Sequence, residues 1–137
     1  MRVVLRGALR RQGNGNAQAL EIARTIRSKN AGIDKITFDV IFAERVDYDL
    51  VRRSGVLSRA SVCRIFGISA ARITDYVEFD PALAIKFAIL RQVTSGSPGD
   101  ADIFGSQQYG PLLDIAVPRR RRGSGRLKYD RFSCGNR

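Results

Sequence analysis

Residues 26–32 read Ile-Arg-Ser-Lys-Asn-Ala-Gly, so a hydroxyl, an ammonium, an amide and a glycine fall between Ser28 and Gly32. Successive backbone N–H groups beside a glycine can form a nest that holds an anion. Lys29 would add a point charge, and Ser28 and Asn30 would add hydrogen-bond donors. Together they could receive a carboxylate or a phosphate. A competing reading is helix termination. Asn30 or Gly32 can take the left-handed cap conformation, and a lysine at a helix C-terminus is stabilising by about 0.3–1 kcal/mol. A contact with a partner chain is the third reading. A cap accounts for Asn30 and Gly32 but leaves Ser28 and Lys29 without a reason.

The second chemically loaded stretch is 93–110, eighteen residues without a strand or helix pattern. Irregular loops beyond about 12–15 residues in compact domains are usually functional or disordered. Ser95, Gly96 and Gly99 supply turns, and Ser97-Pro98-Gly99-Asp100 fits a type II turn. Asp100 and Asp102 point the same way in an extended segment and could offer oxygen ligands to a Mg²⁺-type ion. The spacing does not continue as a calcium loop, because Phe104 stands at the third ligand position, so no metal is assigned. Phe104, Gln107, Gln108 and Tyr109 supply aromatic rings and uncharged amides, which suit a substrate or a partner surface better than an ion. Asp39 is the remaining candidate. It alternates away from Ile36, Phe38, Val40 and Phe42, and either faces solvent or needs Lys29 or Lys86 as a partner.

Several chemistries are excluded by composition. The chain of 137 residues has no histidine, which removes Ser-His and Cys-His catalysis and imidazole metal ligation. Cys63 and Cys134 are too distant and dissimilar to make a disulfide framework, and two thiols alone do not make a zinc site. No cofactor motif is present. A stand-alone hydrolase or transferase is therefore disfavoured.

The elements that must position these residues follow from periodicity. Ala19, Ile22, Ala23 and Ile26 recur at helical spacing, which predicts a helix over 17–27, with Ser28–Gly32 ending it. Residues 35–43 alternate as a strand. Val46, Leu50 and Val51 predict a short helix stopped at Gly55, and Ser58 caps a second one with Val62, Ile65 and Phe66 inward. Strands are predicted over 71–79, 83–90 and 111–117, with a turn at Asp80-Pro81. The sum is an α+β domain, with helices on one face of a mostly antiparallel four-stranded sheet, over residues 16–118.

The net charge of +11 lies outside that domain. Residues 1–15 carry +4, residues 119–137 carry +7, and residues 16–118 are neutral. The expected organisation is a basic flexible extension at 1–15, the folded body, and a basic disordered tail at 119–137. A neutral body makes nucleic-acid binding unlike the usual pattern, which puts the excess on the folded surface. No apolar run approaches the ~20 residues of a membrane span. The thiol usage makes a cytoplasmic location the expectation, while Arg2, Arg6 and Arg10 before any acid have some character of a mitochondrial transit segment.

The strings IRSKNAG, TFDVIF, SGVLS, DPALAIKF and SGSPGDADIFGSQQYGPLLDI, in this order between Ala19 and Pro118, resemble the family catalogued as domain of unknown function 4387. That family is similar to the small ferredoxin-like domain of acyclic terpene utilisation proteins of the AtuA type. The resemblance implies a ferredoxin-like or AtuA-like small domain and a larger AtuA-type companion, acting in catabolism of a CoA thioester or other organic acid. Ile33 stands where the family usually has proline, and Tyr109 where it usually has histidine. The expected function is thus an accessory subunit. The alternative is a stand-alone domain that binds a small organic anion with Lys29 and backbone amides, and binding of nucleic acid through the tails ranks last.

Overall fold

The computed structural model describes residues 22–118 together with the short strand segments 3–4 and 16–18; the remainder of both basic segments lies outside the described residues. The main sheet contains β1 (Val3–Val4), β3 (Ala23–Asn30), β4 (Lys35–Phe42), β5 (Ile73–Phe79) and β6 (Ala84–Leu90). Its order is β1-β3-β4-β6-β5 and every neighbouring pair is antiparallel. A second, two-stranded sheet pairs β2 (Asn16–Gln18) with β7 (Ala116–Pro118). Helices α1 (Arg45–Ser54) and α2 (Arg59–Phe66) lie between β4 and β5, and a single turn, α3 (Gly110–Leu113), precedes β7. The domain is α+β. β4 and β5 run parallel with β6 between them, a split β-α-β unit of the kind that ferredoxin-like folds use.

Alternation builds the core. Ile36, Phe38, Val40 and Phe42 of β4 and Ile85, Phe87 and Ile89 of β6 are buried with Tyr48 and Val51 of α1 and Val62 of α2. Phe38 and Phe87 are directly paired across the strands and stack at 4.9 Å, and Phe66 from α2 meets Phe38 at 5.0 Å. Such cross-strand aromatic pairs are where sheet stability concentrates. Ser58 caps α2 as the sequence predicts, accepting the backbone N–H of Ser61.

Two elements differ from the sequence reading. The helix expected over 17–27 is replaced by strand at Asn16–Gln18 and from Ala23 onward. The cause is a β-bulge. Ala23 pairs with Phe42 while Thr25 pairs with Ile41, so Arg24 is an extra residue. The bulge puts Ala23 and Ile26 on the same face three positions apart, which imitates helical spacing. The strand expected over 111–117 begins instead as α3. Pro111 opens that turn, where a missing N–H costs nothing. Only Ala116–Pro118 is strand, and Leu112 is fully buried. No helix among the described residues is long and apolar enough to cross a membrane.

Candidate functional site

Because 28–32 ends a strand rather than a helix, its side chains separate by the two-residue alternation of a sheet. Ser28 and Asn30 point to the helix-covered side; Lys29, paired with Thr37, points to the opposite side and is exposed. The helix-dipole argument at this string falls with the helix. Ala31 N–H donates to the Lys35 carbonyl at 2.9 Å and closes the hairpin, with Gly32 in the turn at φ 77°.

The side of β3 that carries Ser28 and Asn30 is met by the long loop. Ser28 Oγ accepts the backbone N–H of Gln108 at 3.1 Å. Asn30 Nδ2 donates to Ser95 Oγ at 3.1 Å and to the Ile103 carbonyl, and its backbone N–H donates to the Phe104 carbonyl. Asn30 Oδ1 in turn accepts Arg91 Nη1 at 2.7 Å. Arg91 also donates Nη2 to Asp100 Oδ1 at 2.5 Å and to the Asp102 carbonyl at 3.0 Å, and Nε to the Val93 carbonyl. The Arg91 and Asp100 side chains are 6% and 4% exposed, so this ion pair is internal, and its remaining polar atoms are hydrogen-bonded as a buried pair requires.

The two aspartates organise the loop from within. Asp100 accepts the N–H groups of Gly96 and Asp102, at 2.8 and 2.9 Å. These bonds, with burial opposing and the Arg91 charge assisting, hold its carboxyl below the usual carboxylate range. Asp102 accepts the N–H groups of Ser106 and Gln107 and the amide of Gln108. Gly105 passes so close to β3 that a Cβ there would stand 2.5 Å from Asn30 Oδ1. Gly99 supplies a positive-φ turn at 91° with open space around it. Phe104 is solvent-exposed, and Tyr109 packs partly buried against the core.

A family model described as Domain of unknown function (DUF4387) matches residues 20–116, most of the chain. The chain belongs to the DUF4387 family. No curated protein and no solved structure matches it. Within the DUF4387 domain the Ser28–Gly32 string and the 93–110 loop are joined by the network around Asn30 and Arg91.

Asp39 lies apart from that network, on the helix-free side of the sheet. It is 2% exposed and sits between Arg27 Nε at 2.6 Å and Lys86 Nζ at 3.8 Å. Of the partners considered from sequence, Lys86 is present and Lys29 is not. Arg27 completes the row because β3, β4 and β6 place Arg27, Asp39 and Lys86 in direct register.

Beside the loop network a cavity of about 320 Å³ opens between the sheet, the end of α2 and the loop. Its apolar wall comes from Ile36, Phe38, Phe66, Ile68 and Ile89, and its polar rim from Arg72, Arg91, Gln92, Asp100, Asp102 and Gln108. Sequence reasoning missed Arg91 and Arg72. Each stands just outside a strand, Arg91 after β6 and Arg72 before β5, where periodicity carries no information about direction. The charge order in the cavity is uneven. Arg91 is neutralised by Asp100, and Asp102 is surrounded by N–H donors. Arg72 makes one hydrogen bond, from Nη2 to the Leu90 carbonyl, and among the described residues has no carboxylate partner. The C-terminal end of α2 opposes an anion by about 0.3–1 kcal/mol. A guanidinium about 4 Å from a carboxylate favours it by about 4 kcal/mol at an effective dielectric near 20, before desolvation is counted. Arg72 and Asp102 leave the rim formally neutral, and Arg72 is the charged group whose N–H donors are not yet used.

Proposed function

We propose that the protein is a small companion subunit that docks a larger protein through the loop end of its sheet. The observation that carries this reading is the exposure of Ile33, Val93, Ile103 and Phe104, at 68%, 39%, 54% and 78%, on backbone that is held in place. Asn30 binds the carbonyls of Ile103 and Phe104, Arg91 binds that of Val93, and Ser95 N–H donates to the Ile33 carbonyl. Apolar side chains gathered at one end of a domain mark interaction surfaces when they exceed scattered single exposures. Covering a side chain such as Phe104 is worth about 1.5–3 kcal/mol. A fixed backbone also lowers the ordering cost of association. The resemblance to AtuA-type small domains supplies the class of partner: a larger AtuA-type protein that acts on a CoA thioester or other organic acid. Co-expression with the product of an adjacent AtuA-type gene should give one co-eluting species on size exclusion. Phe104→Asp should abolish co-elution and leave the melting temperature of the isolated chain unchanged. Elution of the unaltered chain at its own mass, or co-elution of Phe104→Asp, would sink the reading.

A further inference from the structure

We propose that the cavity between α2, the sheet and the 93–108 loop binds a small monocarboxylate with a short apolar body, its carboxylate on Arg72. The site shares Val93 and part of the 93–110 loop with the docking end, but its argument does not rest on the docking reading. The volume, about 320 Å³, is at the small end of small-molecule sites. The wall of Phe38, Phe66, Ile36 and Ile89 accepts an aliphatic or aryl body and offers no polar partner to one. The rim then fixes the head group. The carboxylates of Asp100 and Asp102 are already engaged by N–H donors of their own loop, and Arg91 spends four of its five N–H donors on Asn30, Asp100 and two carbonyls. Arg72 is half-buried, and only its bond to the Leu90 carbonyl is made. Guanidinium has five N–H donors in a planar fork that matches a carboxylate in two-point contact. The Leu90 bond fixes the side chain at the cavity mouth while leaving donors over. Gln92 and Gln108 border the same space as neutral groups. The oxygens of Asp102 are taken by neutral N–H donors while Arg72 keeps donors in reserve, so the recess favours an organic acid over an amine or an alcohol.

The test is calorimetric titration of the purified full chain with hexanoate, methyl hexanoate and hexylamine. Hexanoate should bind saturably at one site, and the ester and the amine roughly tenfold or more weakly, the loss expected for a charge-assisted contact. Arg72→Gln should weaken hexanoate by a similar factor, and Arg72→Lys should restore part of it. Ala101→Trp, which narrows the mouth without touching Arg72, should also weaken hexanoate. Phe104→Asp should bind hexanoate as the unaltered chain does, so failure of the docking reading leaves this one standing. Thermal melts of each variant separate lost binding from lost folding, and Ala101→Trp still tests the site if Arg72→Gln does not fold. Absence of saturable hexanoate binding, equal binding of the methyl ester, or undiminished binding by folded Arg72→Gln or Ala101→Trp would overturn the proposal.

Discussion

Asn30 is the residue on which the loop end depends. Its amide bridges β3 to Ser95 and Ile103, and its carbonyl oxygen takes one arm of Arg91. A side-chain amide donates and accepts at the two ends of a single neutral planar unit, as both contacts require. Gly105 is the other half of the same contact. A Cβ at 105 would stand 2.5 Å from Asn30 Oδ1, 3.1 Å from Asn30 N and 3.3 Å from Ile36 Cγ1, at φ 63°. Gly99 has a comparable positive φ, 91°, and nothing within 4 Å. Both Gly→Ala substitutions carry the left-handed penalty of about 1–2 kcal/mol, but only Gly105→Ala adds a clash with backbone and core. Urea denaturation should therefore show Gly105→Ala destabilised by about 2–4 kcal/mol and Gly99→Ala by about 1–2 kcal/mol. Equal losses would mean that the loop does not lie on Asn30 as described.

At the scale of elements, what the sequence discloses depends on how regular each element's periodicity is. β4 and β6 are central and their alternation is plain: Ile36, Phe38 and Val40 alternate with Lys35, Thr37 and Asp39, and Ile85, Phe87 and Ile89 alternate with small or polar residues such as Lys86 and Ala88. α1 and α2 are plain too, because Gly55 and Ser58 punctuate them. β3 is the exception, since its bulge at Arg24 converts period two into a helical interval. That difference has a chemical consequence: neighbouring positions on a helix sit about 100° apart, whereas on a strand Ser28 and Lys29 face opposite sides. The loop's candidates are legible by type, while the network that ties them needs Arg91, whose role arises only when the chain closes on itself. The same strand pairing creates the Arg27–Asp39–Lys86 row. Its two contacts differ in geometry, 2.6 Å for Arg27 and 3.8 Å for Lys86. Double-mutant cycles with Asp39→Asn should give a coupling of about 1–2 kcal/mol to Arg27→Met, and less than about 1 kcal/mol to Lys86→Met, whose side chain is 41% exposed. A larger coupling to Lys86 would show that the order of the pairs is reversed.

The whole molecule carries ionic clasps at both ends of its sheet, and they set its response to pH. At one end Asp100 is held ionised by the Gly96 and Asp102 amides and Arg91. At the other end Asp80 accepts the Tyr48 hydroxyl at 2.7 Å and Arg52 at 3.2 Å, and the Tyr48 bond above all keeps its carboxyl below the ordinary value. A carboxyl lowered in the folded state stabilises the fold above its unfolded pKa of about 3.9, and that contribution fades as pH falls through the folded value. The tyrosines act in the opposite sense. Burial first, then Asp80, raises Tyr48, while burial and Glu78 push Tyr76 up to about 12. The unfolded chain releases these protons first, so stability is complete below pH about 10 and is lost as pH rises through the folded values. Between the two limbs the chain has no histidine to titrate. Urea midpoints should accordingly be level from about pH 5 to 8, fall below about pH 4, and fall above about pH 10. Asp100→Asn should be less stable at neutral pH and show a shallower acid limb, and Tyr76→Phe should flatten the alkaline limb. A slope between pH 6 and 8, or an acid limb unchanged by Asp100→Asn, would show that these clasps do not govern the molecule's pH response.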